Sequence, residues 1–289
     1  MLRYAVAALT LKAFSLNAPT RHLYRRLGNR LGGKLRERGR FDLDAYIKRG
    51  ELLVELYRKY ENLKPNDRLL ELGTGWMHWY AIYLRLAYEC RIATLDIWDN
   101  RQFKGMQACF ARLPNRAPLL DKVLKMQSFE ELYELLGFEH VIVPDGQLDG
   151  FKSESLTSVF SMHVLEHVPT KYIQAVVDGM FRTMKPGHHT VHQIGIDDHL
   201  AHYDRRVSGK KYITFSNRTW AAFFENEVQY HNRLQPSDFR KIFERSGFEL
   251  VQQEDERTTI HDLAVSKDFR HYSEDDLACT ISTVVFRKP

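Results

Sequence analysis

One stretch limits the possible folds more than any other. Arg68-Leu69-Leu70-Glu71-Leu72 reads as a short apolar strand and runs into Gly73-Thr74-Gly75. Trp79, Ile82, Tyr83 and Leu86 follow at i, i+3, i+4 and i+7, the spacing of a helix with one buried face. Strand, glycine turn and helix make half of a crossover unit, and the rhythm continues. Ile92–Ile97, His140–Val143, Ser158–Met162 and His189–Ile194 read as strands. Phe103, Met106 and Phe110 mark one helix between them, and Ile173, Val176, Val177, Met180 and Met184 mark another. Ser128 and Glu131 form a capping box, with Gly137 as the stop. Such alternation predicts an α/β fold, a mostly parallel sheet with helices on both faces. Near the end, Ser237–Ser246 reads as a helix, and Phe248–Gln253 and Thr280–Phe286 as strands. A closing antiparallel strand is expected there.

The 289 residues suit one large catalytic domain with an extension in front. Three widely spaced cysteines, Cys90, Cys109 and Cys279, exclude a disulfide scaffold and fit a reducing cytoplasm. No apolar run reaches the ~18 residues of a membrane span. Tyr4–Leu11 is short for a signal peptide and is read as an N-terminal helix. Charge is unevenly spread. Residues 1–40 carry ten Lys/Arg against one acid, a net +9, so the rest of a chain of total charge +5 carries −4. Glycines 28, 32, 33 and 39 predict that this basic arm is a broken helix or a loop. Asp42 is placed to cap a helix through Tyr60, which Lys64-Pro65-Asn66-Asp67 stops.

The turn carries the chemistry. Gly73 and Gly75 let the backbone approach a ligand at the carboxyl end of a strand. His78 occupies the third glycine position of the dinucleotide fingerprint, and Glu71 precedes the turn. A pyrophosphate favours a turn free of negative charge, whereas a ligand with an ammonium group is attracted to Glu71. S-adenosylmethionine is such a ligand. Asp96, ending the second strand, is placed to accept hydrogen bonds from ribose hydroxyls. A packing turn with Asp96 as a helix cap is the plainer alternative.

With these residues, the chain resembles the class I S-adenosylmethionine-dependent methyltransferases. The resemblance rests on Leu69–Gly75, Asp96, Phe160–Val168 with its V-L-E-H-V, and Met184-Lys185-Pro186-Gly187. The late segment Asn232–Phe239 leading to Ser246-Gly247-Phe248 is similar to members that modify small molecules or sugars. The likeness covers about residues 63–289 and omits the basic arm. It implies a Rossmann-like seven-stranded sheet with the last strand antiparallel, and a cofactor set of Glu71, Gly73, Thr74, Gly75, Asp96, Ile97 and Met162. Residues 1–62 then form a basic arm and helical cap, and about 195–232 an acceptor-side insertion.

Histidines supply the candidate acceptor chemistry. His163-Val-Leu-Glu166-His167 fits the H-x-x-E-H zinc-peptidase pattern, but that pattern needs a helix and a third ligand. Here it straddles a strand end, so no metal is assigned, and Glu166 and His167 are read as bracing the loop. His192, Asp197, Asp198 and His199 follow the fifth strand, and topology predicts that they share a rim with His163. His163, His192 and His199 are the candidates for a general base that deprotonates a hydroxyl acceptor. A divalent cation held by Asp197, Asp198 and His199, or a merely polar loop, remain alternatives. Tyr46 and Arg49 are either a cover for the cofactor or a solvated helix face. Trp76 and Trp79 are read as packing residues.

The expected reaction is methyl transfer to a hydroxyl of a sugar or lipid-linked glycan precursor in the cytoplasm. For the arm, a solvated or self-packed segment is the default reading, anionic lipid at the inner membrane face the next, and nucleic acid the third. An RNA methyltransferase using the arm, or a non-catalytic cofactor-binding protein, are the competing readings.

Overall fold

The computed structural model describes residues 2–38, 42–113 and 118–289; Gly39 and Arg40 of the basic arm lie outside them. The chain runs α1 (Leu2–Phe14), α2 (Ala18–Glu37), α3 (Leu43–Tyr60), β1 (Arg68–Leu72), α4 (Trp79–Ala87) and β2 (Arg91–Asp96). It continues through α5 (Phe103–Phe110), α6 (Pro118–Val123), α7 (Phe129–Leu136), β3 (Glu139–Ile142), β4 (Ser158–Met162), α8 (Thr170–Thr183) and β5 (His189–Gly195). It ends with α9 (Asn217–Phe223), α10 (Pro236–Arg245), β6 (Glu249–Arg257), α11 (Glu274–Ala278) and β7 (Cys279–Arg287).

The strands form the expected seven-stranded, mostly parallel sheet, in the order β3-β2-β1-β4-β5-β7-β6. β1 pairs in parallel with β2 on one side and β4 on the other. The strand order therefore reverses at β1, and a crevice opens at the carboxyl ends of strands at such a switch point. Gly73–Gly75 stands there. The last strand is antiparallel to β5: the Ile196 amide bonds Thr280 O and the Lys288 amide bonds His188 O, so the numbers run in opposite directions.

The chain divides into two compact units. One holds residues 27–162, 178–192 and 286–289. Its core includes Leu69, Leu70, Ile82, Val159 and Phe160, all fully buried. The Asp42 cap is present, its side chain accepting from the Ala45 amide. At the other end of α3, Tyr57 Oη lies 2.7 Å from Ser158 Oγ, and Glu61 accepts the His189 amide at 2.6 Å. At α7 only half of the expected capping box forms: Ser128 Oγ accepts the Glu131 amide, but the Glu131 carboxylate accepts the Gln127 amide in place of that of Ser128, while the Gly137 stop is present at φ 67°.

The other unit holds residues 1–26, 163–177 and 193–285. Its core gathers Tyr4, Ala8 and Leu11 of α1 with Leu200, Tyr212, Trp220 and Phe269. Tyr4 Oη donates to Asp198 Oδ2 at 2.7 Å, and Lys12 Nζ to Ala221 O at 2.7 Å.

The basic arm departs from expectation. It forms two helices, and Gly28, Gly32 and Gly33 lie inside α2. Each interior glycine costs about 1 kcal/mol relative to alanine. At Gly33 a Cβ would make only ordinary contact, 3.4 Å from the Gln102 side chain, so space does not require glycine there.

The segment after β5 is held by a buried cation. Lys210 is wholly inaccessible, and its ammonium bonds Cys279 O at 2.7 Å, Tyr212 Oη at 2.8 Å, Ile196 O at 2.9 Å and Gln235 Oε1 at 3.2 Å. Burial pulls its pKa down to about 7. Lys210→Met removes the donor and strands buried acceptors. It is expected to cost about 1–3 kcal/mol and lower the melting temperature by several degrees. An unchanged thermal transition by circular dichroism would show that these bonds contribute nothing.

Candidate active site

The glycine turn is built by two left-handed glycines and two carboxylates. Gly73 and Gly75 have φ of 64° and 67°, the left-handed region that side chains disfavour. No heavy atom lies within 4 Å of where a Gly75 Cβ would stand, apart from its chain neighbours, so open space faces the turn. Asp96 ties the turn to the end of β2. Its Oδ2 accepts the Gly75 amide at 3.0 Å and its Oδ1 the Ile97 amide at 2.8 Å. Burial raises its pKa, and these amides oppose the rise. Ile97, beside it, is 48% exposed.

Glu71 sits under the turn, 1% exposed, with Thr74 Oγ1 donating to its Oε2 at 2.9 Å. Burial pushes its pKa up to about 8. Met162, at the end of β4, is buried. The turn thus brings Glu71, Gly73, Thr74, Gly75, Asp96 and Ile97 together, as their sequence spacing predicts.

His78 carries more structure than the sequence disclosed. It adopts φ 51° as the residue before α4, a glycine-like conformation where the dinucleotide fingerprint has its third glycine. Its ring lies against Phe129 at 4.9 Å and His140 at 5.0 Å between centroids. Trp79 stacks on Phe110 at 4.3 Å, and Trp76 lies under the Arg36 guanidinium at 4.0 Å. Both tryptophans are thus packed. Tyr46 stacks on Tyr80 with an interplanar angle of 8°, and Arg49 lies 5.7 Å from the Tyr46 ring. A cavity of about 380 Å³ lies at the far end of α4, lined by Ala87, Tyr88 and the end of α3. It is remote from the turn and holds none of the candidate residues.

The three candidate base histidines differ sharply. His192 is fully buried, with Nδ1 2.8 Å from Ser161 Oγ and Nε2 2.6 Å from Thr190 Oγ1. Burial pushes its pKa down to about 3. With both nitrogens engaged inside the sheet, it has no free position to take a proton from an acceptor.

His163 follows β4 with φ 57°, and its side chain is 22% exposed. Its Nε2 lies 3.2 Å from Gln193 Oε1 and its Nδ1 3.4 Å from Glu166 Oε1. The ring is thus held between an amide at Nε2 and a carboxylate at Nδ1, so it can take an acceptor's proton only when one of these contacts opens.

His199 is 20% exposed, with Nε2 3.7 Å from Asp197 Oδ1. Burial pushes its pKa down to about 4, so the ring is neutral near pH 7. Asp197 pairs more closely with His202, at 2.6 Å. Asp198 faces elsewhere: it accepts from Tyr4 and from the Leu200 amide. Asp198 is therefore a cap and an anchor for α1, and Asp197, Asp198 and His199 do not converge on one cation. Glu166 and His167 occupy a short 3-10 turn, Leu165–His167. This is not the continuous helix of a zinc peptidase.

Residues 18–253 match the model of a family described as a methyltransferase domain. No curated protein matches the sequence. Among solved structures, the chain is similar to a geranyl diphosphate methyltransferase in complex with S-adenosylmethionine, at 12% identity and a TM-score of 0.50, covering 84% of this chain and 85% of that one. It is also similar to a candidate sarcosine dimethylglycine methyltransferase from Galdieria sulphuraria, at 14% identity and a TM-score of 0.50, covering 84% and 86%. An S-adenosylmethionine-dependent methyltransferase from Methanosarcina mazei gives 16% identity and a TM-score of 0.47, covering 81% and 96%. At such identities the likeness speaks for the fold alone.

Gly195 keeps the His163–Glu166 contact possible. A Cβ at this position would stand 2.8 Å from both Glu166 Oε1 and His163 Nδ1. Gly195→Ala is expected to destabilise the protein by about 1–3 kcal/mol through overpacking. Urea unfolding measures this, and an unchanged midpoint would show that the two side chains move aside freely.

Proposed function

The chain belongs to the methyltransferase-domain family and has its class I fold, and on that premise we propose that it transfers a methyl group from S-adenosylmethionine to a hydroxyl oxygen of a sugar or lipid-linked glycan precursor. The observation that carries the cofactor reading is the turn at the strand-order reversal, with two left-handed glycines and open space in front of Gly75. Bound there, S-adenosylmethionine supplies an already activated sulfonium methyl. Glu71 meets its ammonium group. Asp96 keeps a second lone pair on each oxygen for the ribose hydroxyls. Thr74, Ile97 and Met162 complete the cofactor contacts. On the acceptor side the chain must orient a hydroxyl and take its proton. His163, oriented by Glu166 and Gln193, is the base this reading favours; His199 is the second choice.

Glu71 makes the cofactor assignment testable. Its pKa is about 8 in the free protein, against an ordinary 4.5. An adjacent ammonium favours the carboxylate and lowers that value. Between these limits, binding expels a proton, so affinity rises with pH and levels off above about 8. Calorimetry at pH 6, 7 and 8 is expected to show this slope in the wild type and its loss in Glu71→Gln. Asp96→Ala is expected to weaken binding by about 1–3 kcal/mol. A flat profile, with Asp96→Ala unchanged, would remove both residues from the cofactor site.

What supports a lipid-linked acceptor is the surface of α2. Leu23, Leu27, Leu31 and Leu35 form an exposed row at i, i+4, i+8 and i+12. Arg26, Arg30, Lys34 and Arg38 form an exposed row beside it. An apolar row edged by cations fits an anionic bilayer surface, where each basic residue contributes about 1 kcal/mol. Nucleic acid would use the charges and leave the leucines without a role. Tyr4, Ala8 and Leu11 of α1 are buried in the protein, so the lipid-facing side of that helix is Leu2, Val6 and Leu9. No described helix is long and apolar enough to cross a membrane, so the contact is peripheral. Residues 1–62 then serve as a docking arm and cap for a catalytic region of 63–289, with about 195–232 facing the acceptor.

Vesicle sedimentation tests the docking. Binding to phosphatidylglycerol vesicles, little to phosphatidylcholine, and a loss of at least tenfold in the double variant Leu27→Glu/Leu31→Glu are expected. Equal binding by that variant would point to charge alone. A mass-spectrometric screen for a one-methyl gain across sugar nucleotides, lipid-linked glycans, small phenols and RNA identifies the acceptor. A gain on RNA alone would replace the glycan reading.

A further inference from the structure

At the 3-10 turn after β4, next to the candidate base His163, lies an arrangement whose chemistry goes beyond proton transfer. Glu166 is 1% exposed, yet neither carboxylate oxygen receives a hydrogen bond. The His163 Nδ1 contact, at 3.4 Å, is an ion-pair distance only. A buried carboxylate without hydrogen bonds is costly, and a cation is the usual remedy. One ligand atom from each of Glu166, His167 and His199 lies within 4.8 Å of the other two. We propose that Glu166, His167 and His199 bind a divalent transition-metal ion of the zinc class.

Two features support this. First, His167 is prepared as a ligand. Its Nδ1 lies 2.7 Å from Tyr230 O. A carbonyl only accepts, so Nδ1 carries the proton and the Nε2 lone pair is free. A metal-bound histidine characteristically gives its other N–H to such a carbonyl, which fixes tautomer and ring orientation. Second, the donor set selects the ion. Two imidazoles and one carboxylate suit zinc, iron, cobalt or nickel better than magnesium or calcium, which want oxygen.

Bond lengths of about 2.0–2.2 Å place tetrahedral ligand atoms roughly 3.4 Å apart. The ligand atoms now lie within 4.8 Å of one another, so binding draws them closer. The ion would have three protein ligands and at least one open position. His231 is a neighbour that could fill it: its ring is 4.7 Å from that of His199 between centroids, and its buried Nε2 has no hydrogen bond.

The test reads metal binding on the full chain without methyl donor or acceptor, so it stands or falls separately from the methyl-transfer reading. Chelator-treated protein is titrated with Co²⁺ by visible absorption and with Zn²⁺ against a chromophoric chelator. One equivalent is expected, bound at micromolar metal or tighter. Glu166→Gln, His167→Gln and His199→Gln are each expected to weaken it at least tenfold, and the exposed His22→Gln to leave it unchanged. If Glu166→Gln does not fold by circular dichroism, the two histidine variants decide the matter. No stoichiometric uptake by the wild type overturns the proposal. So does uptake that these substitutions leave intact, or that Asp197→Asn or His202→Gln abolishes while Glu166→Gln does not.

Discussion

A lysine ammonium with no access to water stands at the centre of the unit that carries residues 193–285. Desolvating a cation costs several kcal/mol even after relaxation, and the cost is tolerable only when its protons are all used. Lys210 uses them on acceptors at the end of β5, the start of β7 and the residue before α10, and on the Tyr212 hydroxyl. Those elements are far apart in sequence. Tyr212 extends the network, donating to Ile196 O and accepting from the Gln235 amide. A long polar segment is thereby given a fixed path. The histidine cluster hangs from that path: Gly195 immediately precedes Ile196, and Asp197 and His199 follow it.

The other unit relies on a carboxylate. Asp96 receives amides from the glycine turn and from its own strand end, which is why the turn keeps two left-handed glycines without side chains to brace it. Glu71 is beneath, bonded to Thr74. Burial raises both proton affinities, so a cationic ligand arriving at the turn meets two groups that gain by its charge. The same logic operates at Glu166, where burial and missing hydrogen bonds leave a carboxylate in want of a cation. In each case a buried carboxylate stands where a positive charge would be favoured.

Much of the fold was legible because its signals are local. Apolar runs of strand length, the Asp42 cap, the Ser128 cap and the Gly137 stop each act within a few residues, and all are found. The cofactor candidates were legible for the same reason, since Glu71 to Gly75 are contiguous and Asp96 ends the neighbouring strand. The basic arm misled because glycine propensity is a weak prior: a cost of about 1 kcal/mol per glycine does not prevent a 20-residue helix from forming. His192 misled because alternation along a strand does not say which buried face a polar residue will find partners on. Ser161 and Thr190 supplied them.

The sequence by itself therefore determined the α/β architecture, the glycine turn and the acid that answers it, because strand period, helix period and turn stereochemistry are properties of short segments. Only the tertiary structure decided which charges are buried, what each one bonds, and which histidines meet. Those outcomes depend on desolvation and on partners tens to hundreds of residues away, as with Tyr4 and Asp198 or Lys210 and Cys279. No local pattern encodes them.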